Sequence, residues 1–135
     1  MVKTIRYKGG YKYQLQESAQ IHTDIVGYAV DTRYLSLSAD GWLCVRAGYC
    51  WDGATWCPDL KSIMRGSLFH DALYQLMRLG LIDATCREMA DKMLRRCCLD
   101  DGMNAQMAAI VYHAVRRFAA SAARSSEVRT VMEAP

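Results

Sequence analysis

The sequence predicts an α+β domain in which a small antiparallel β-sheet packs against three α-helices. Three observations lead there. Tyr34-Leu-Ser-Leu-Ser38 and Trp42-Leu-Cys-Val-Arg46 alternate on either side of Ala39-Asp-Gly41. Asp-Gly between alternating runs signals a hairpin near 34–46, because glycine accepts the positive φ that the turn needs. Past residue 59, apolar residues recur at helical spacing, and Gly80 and Asp100-Asp-Gly102 break that pattern into three. At 135 residues the chain fits one domain over 1–120, β-rich over 1–57 and helical over 59–120. Residues 121–135 are small and polar and are expected to fray.

Taken in order, Gly9-Gly10 can turn the chain, and Tyr11-Lys-Tyr-Gln-Leu15 alternates as a half-buried strand does. Ile21-His-Thr-Asp-Ile25 is a second, weaker strand signal, and the hairpin follows. Ala47-Gly-Tyr-Cys-Trp-Asp-Gly-Ala-Thr-Trp-Cys-Pro58 is too irregular to be a strand throughout. It reads as a strand end and then a loop that delivers the chain to the first helix, with Asp59 or Ser62 as cap.

The first helix covers Ser62 to Leu79. Its stripe is Ile63, Met64, Leu68, Ala72, Leu76 and Leu79, widened by Phe69, Leu73 and Met77. Gly66 lies one turn before His70 on the same face and leaves room for a ligand or a crossing helix. Gly80 ends this helix. Asp83 caps the second, Ala84 to about Leu99, with Cys86, Met89, Ala90, Met93, Leu94 and Cys97 inward. Asn104 caps the third, whose stripe is Met107, Ile110, Val111, Ala114, Val115 and Phe118.

Composition narrows the function classes. A 52% hydrophobic fraction is ample for a core. A formal charge of +3, with no basic run interleaved with aromatics, gives no reason to expect nucleic acid. No apolar run approaches the roughly 20 residues of a membrane span, and the first residues lack a signal-peptide core. Six cysteines without Cys-x-x-Cys spacing read as free thiols in a reducing cytoplasm, most of them small buried hydrophobes.

The chemistry-bearing residues cluster around the first helix. His70 is a potential general base near neutral pH. Asp71 beside it is an oxygen donor suited to a hard cation such as Ca²⁺. Consecutive helix residues point about 100° apart, so the two line an edge instead of pairing. Tyr74, one turn on, can donate to a carboxylate from another helix, and Asp91 is the candidate: it would orient the imidazole as a triad acid does. The plainer alternative is that His70 is hydrogen-bonded and half-buried, and that Asp91 is a solvated partner of Arg87 and Arg95. Asp52 with Gly48 and Gly53 forms a loop able to present oxygens to a cation, or simply a capped turn. Trp51, Tyr49 and Trp56 read as exposed aromatics suited to a lipid interface. His22 in its strand and His113 on the polar side of the third helix, with Arg116 and Arg117, rank lower.

The order Gly48-Tyr49…Asp52-Gly53-Ala54-Thr55…Pro58, His70-Asp71-Ala72-Leu73-Tyr74, Ala90-Asp91 and Tyr112-His113-Ala114-Val115-Arg116 resembles a family of small bacteriophage and prophage proteins of unknown function. That resemblance covers roughly residues 30–118. It implies a phage protein made in the host cytoplasm and either carried into the virion or directed at a host protein. His70-Asp71-x-x-Tyr74 with Ala90-Asp91 is also similar to the catalytic helix pair of secreted-type, calcium-dependent phospholipases. That resemblance implies that His70 activates water, Asp71 binds Ca²⁺ and Asp91, held by Tyr74, orients the histidine, with the Gly48–Gly53 loop completing the calcium site. The half-cystine framework of those enzymes is absent here, and Trp51 and Asp52 stand where their loop presents carbonyls.

Two functions are therefore expected as alternatives. One is a phage-encoded hydrolase of ester lipids acting at a membrane surface. The other is a non-enzymatic virion component or host-directed module in which His70, Asp71, Tyr74 and Asp91 form a structural polar network.

Overall fold

A computed structural model describes residues 5, 7–8, 13–52 and 60–123. Two small antiparallel sheets precede three helices, so the α+β class holds, with two sheets where one was expected. One sheet joins β1 (Tyr7–Lys8), β2 (Tyr13–Leu15) and β7 (Cys50–Trp51), with Tyr13 opposite Trp51 and Tyr7 opposite Leu15. The other has four strands in the order β3, β6, β5, β4: β3 is Ala19–His22, β4 Val30–Asp31, β5 Leu35–Leu37 and β6 Trp42–Val45.

The predicted hairpin is the β5–β6 pair, with Leu35 opposite Val45 and Leu37 opposite Leu43. Alternation explains its register: Leu35, Leu37, Leu43 and Val45 are buried, while Ser36 and Cys44 between them are half-exposed. Gly41 has φ +98, and a Cβ there would collide with the Thr23 carbonyl. Thr23 in turn donates through both its backbone N–H and its hydroxyl to the Gly41 carbonyl, at 2.8 Å each. Glycine is thus required by close approach as well as by the turn.

The first helix, α1 (Lys61–Arg78), departs from expectation in two ways. Its N-cap is Leu60, with no side-chain cap; Ser62 lies inside the first turn, and Asp59 falls outside the described residues. It is also not amphipathic in the usual sense. Every residue from Ile63 to His70 and from Ala72 to Met77 is buried, including Arg65, Ser67, His70, Tyr74 and Gln75. A polar side chain is tolerated there only with a partner. Trp51 Nε1 donates to Ser67 Oγ at 3.1 Å, Tyr49 Oη to Gln75 Oε1 at 2.9 Å, and Arg65 Nε to Asp101 at 3.0 Å. Among the described residues no buried side-chain nitrogen or oxygen lacks a partner. Tyr49 and Trp51 are only 2% and 3% exposed, so they belong to the core and not to a lipid-facing surface. Trp56 lies outside the described residues.

Gly80, at φ 73, closes α1, with the Leu81 N–H reaching back to the Leu76 carbonyl. Asp83 accepts from the Thr85 N–H and caps a 3₁₀ turn (Ala84–Cys86) that leads into α2 (Arg87–Asp100). Asn104 caps α3 (Ala105–Phe118) by accepting from Met107 N–H at 2.8 Å. Two expected inward residues face out: Met89 on α2 and Ile110 on α3. The buried face of α3 is Ala108, Val111 and Val115. Residues 121–123, expected to fray, belong to a 3₁₀ turn (Ala120–Ala123) that packs against α1 with Ala119 and Ala123 buried. The rest of the tail lies outside the described residues. Cys86, Cys97 and Cys98 are buried thiols, the small hydrophobes that the sequence suggested.

Candidate active site

The site is built on the crossing of α1 and α2. Gly66, His70 and Tyr74 follow at one-turn intervals on one face of α1. A Cβ on Gly66 would sit 2.9 Å from Leu94 Cδ1 and 3.1 Å from Cys97 Cβ, so α2 occupies that space and no ligand does. One turn further, His70 meets Asp91, and Tyr74 meets both Asp91 and Arg87. Partners fall from 97 to 87 as α1 rises from 66 to 74, so the two helices run antiparallel. Close approach at the glycine brings the next turn's imidazole and carboxylate into bonding range.

Asp91 organises the cluster. Its Oδ1 lies 2.7 Å from His70 Nε2 and accepts from the Tyr74 hydroxyl at 2.6 Å. Its Oδ2 accepts from Arg116 Nη1 at 2.8 Å, and Arg87 Nε stands 4.0 Å away. Arg87 Nε also donates to the Tyr74 oxygen at 3.1 Å, and its Nη2 donates to the carbonyls of Val115 and Arg116. The rings of His70 and Tyr74 pack with centroids 4.2 Å apart. Asp91 has no solvent exposure and His70 has 2%, so the carboxylate is not the solvated surface residue of the plainer alternative. Of the two arginines expected to flank it, Arg87 joins the cluster, whereas Arg95 sits over the Tyr112 ring at 5.7 Å.

Electrostatics follow from that geometry. Burial opposes the Asp91 charge, but the hydrogen bonds from His70, Tyr74 and Arg116 outweigh it, and the carboxyl stays below its ordinary value. Burial and the adjacent Asp91 push the Tyr74 phenol well up, so it remains a donor. An ionised Asp91 can only accept, so the hydrogen between the two groups sits on His70 Nε2.

Asp71, the next residue, faces elsewhere. Burial pushes its carboxyl up to about 7; Arg78 opposes this, the Asp52 charge adds to it and a hydrogen bond from the Asp52 backbone opposes it. Asp52 and Asp71, predicted to share a cation, are thus neighbours. Gly48 is at φ +99 in the turn between β6 and β7, and its carbonyl accepts from Gln14 Nε2 at 3.5 Å and from Cys50 Sγ at 3.6 Å. Gly53 lies outside the described residues. Two adjacent carboxylates, one of them reluctant to ionise, suit a hard cation in charge and donor type. No cluster of three or more His, Cys, Asp or Glu side chains that could hold a metal occurs among the described residues, so the other oxygens would come from carbonyls or water.

His22 and His113 stay outside the site. His22 Nε2 meets the Asp40 carbonyl at 2.8 Å and its ring packs on Trp42, and His113 is exposed on α3 against Tyr112. The residue that sequence reasoning missed is Arg116. Periodicity puts it on the polar side of the third helix, as a solvated residue, and only the packing of α3 on α2 reveals its target. No helix among the described residues is long and apolar enough to cross a membrane. No protein-family model, no curated protein and no solved structure matches this chain.

Proposed function

We propose that the chain is a phage-encoded ester-lipid hydrolase in which His70 is the general base. The observation that carries this reading is the bond between His70 Nε2 and Asp91 Oδ1 at 2.7 Å, braced by Tyr74 on the same oxygen. Asp91 fixes the tautomer and balances the positive charge that develops as the ring takes a proton from water. Asp71 and Asp52 would hold Ca²⁺, which supplies positive charge against an ester carbonyl oxygen. The order of motifs along the chain supports phage origin and synthesis in the host cytoplasm, and the similarity of the helix pair to calcium-dependent phospholipases supports a lipid surface as partner. Purified protein is expected to release fatty acid from phospholipid vesicles only with Ca²⁺, and His70→Gln to abolish release. A folded protein that binds no Ca²⁺ and leaves vesicles intact ends this reading.

Burial favours a second reading. His70, Tyr74 and Asp91 are almost fully enclosed, and Asp91 is matched on both oxygens. Such a network can serve only to lock three helices in a virion component or host-directed module. Under it, His70→Ala destabilises the fold by a few kcal/mol (about 1–3 per unpaired buried group) and the protein co-purifies with virions or a host protein.

A further inference from the structure

We propose that α3 and the 3₁₀ turn after it form a flap that opens away from α1 and α2 to admit a lipid ester to the His70 site. The site is sealed as it stands: His70 is 2% exposed and Asp91 not at all. A hydrolase has to uncover it, so one of the elements around the cluster must move. His70 and Tyr74 hold Asp91 from α1 on Oδ1, and α3 closes the Oδ2 side through Arg116 at 2.8 Å. The chain then runs on into the turn Ala120–Ala123, which packs against α1 with Ala119 and Ala123 buried.

Anchoring separates the three helices. α1 buries Ile63, Leu68, Phe69, Leu73 and Leu76, and α2 buries Met93 and Leu94 against it. The described side chains that α3 buries are smaller: Ala108, Val111 and Val115. Stabilisation grows with the apolar area buried, so α3 is the helix least held by it. Two arginines supply the rest. Arg116 reaches from α3 to Asp91. Arg87 reaches from α2 to the carbonyls of Val115 and Arg116, at 2.9 and 2.6 Å. Those carbonyls lie among the four that the end of a helix leaves short of partners, so Arg87 caps the C-terminus of α3. Both guanidinium groups are partly exposed. On opening they exchange protein acceptors for water, which costs little, whereas the leucine and phenylalanine contacts of α1 have no such substitute. Elements with few buried apolar contacts open before the core does. Opening α3 uncovers Asp91 and the part of α1 beneath the turn.

What passes the flap rests on the hydrolase reading; its opening does not, and hydrogen exchange of the full chain, read by mass spectrometry, tests it without activity. Peptides of α3 are expected to exchange at least about tenfold faster than those of α1, with a weaker dependence on urea, because a local opening exposes less surface than unfolding. Arg87→Met keeps the aliphatic stem and removes the donors. Exchange in α3 is expected to rise by a further factor of about ten, as for loss of charge-assisted bonds, with α1 unchanged. Exchange of α3 in step with α1 in the parent chain, at equal urea dependence, overturns the proposal. So does a folded Arg87→Met in which both helices speed up together or neither does. If Arg87→Met does not fold, the parent's urea dependence decides. Fatty-acid release from phosphatidylcholine vesicles with Ca²⁺ separates the two readings. A flap that opens in an inert protein keeps the flap and removes the hydrolase, and an active protein whose α3 exchanges in step with α1 does the reverse.

Discussion

Replacing Asp91 by asparagine puts the polar cluster under the most informative strain, because the change preserves shape and removes the charge and one of the two acceptors. The carboxylate accepts on both oxygens, from His70 and Tyr74 on one and from Arg116 on the other. An amide has one oxygen. If the oxygen faces His70 and Tyr74, the amide NH₂ meets the Arg116 guanidinium and a charge-assisted bond is lost. If the oxygen faces Arg116, the NH₂ meets two donors, and His70 can answer only by turning Nε2 into an acceptor. A hydrogen bond to a charged group contributes about 1.5–3 kcal/mol, and breaking a buried ion pair by removing one partner costs about 3–5 kcal/mol. The Arg116 side chain is 31% exposed and can turn to water, which brings the expected loss to about 2–4 kcal/mol. Urea unfolding of both proteins at neutral pH measures this as a shift in midpoint at constant slope. A loss below about 0.5 kcal/mol, the size of an ordinary surface change, would refute the claim that Asp91 is the buried hub.

Two further predictions concern Asp71 and one concerns the helix crossing. The folded Asp71 carboxyl, at about 7, lies above its unfolded value of about 3.9. Its contribution to stability is fully present below the unfolded value and is lost as pH rises to about 7. Asp71→Asn should therefore be more stable than the parent at pH 8 and less so at pH 4, as read from urea midpoints. By the same proton linkage, Ca²⁺ binding measured by calorimetry should strengthen between pH 6 and 8 and release protons, and should weaken in Asp52→Asn and Asp71→Asn. For Gly66→Ala, the new methyl meets Leu94 and Cys97. Overpacking of about 1–3 kcal/mol is offset by about 1 kcal/mol of helix propensity. Thermal unfolding should show a net loss, and a stabilised Gly66→Ala would mean that the two helices do not cross closely there.

Much of this architecture is written locally in the chain. The β5–β6 hairpin, the Gly80 stop and the Asp83 and Asn104 caps each depend on a few adjacent residues, so short-range chemistry exposes them. The His70, Tyr74 and Asp91 cluster was legible by residue type and one-turn spacing together with the resemblance drawn from the sequence. Periodicity alone placed Asp91 at the margin of its stripe. What stayed hidden depends on long-range packing. β4 and β7 are two residues each, too short to show alternation. The burial of Tyr49 and Trp51 follows from polar partners on α1, Gln75 and Ser67, which nothing in their own segment announces. A helix enclosed on nearly every side, as α1 is, need not confine its apolar residues to one stripe. Its polar residues look like a solvent face until their partners are seen. Arg116 is the extreme case, since its partner lies 25 residues away on another helix.

The central claim is that Asp91 holds the proton of His70 on Nε2. Long-range nitrogen–proton spectra of the His70 ring at neutral pH test it most directly, because they report which ring nitrogen is protonated. Hydrogen fixed on Nε2 is the expected result. An Nε2 without hydrogen, or an averaged pair of nitrogens, would contradict it.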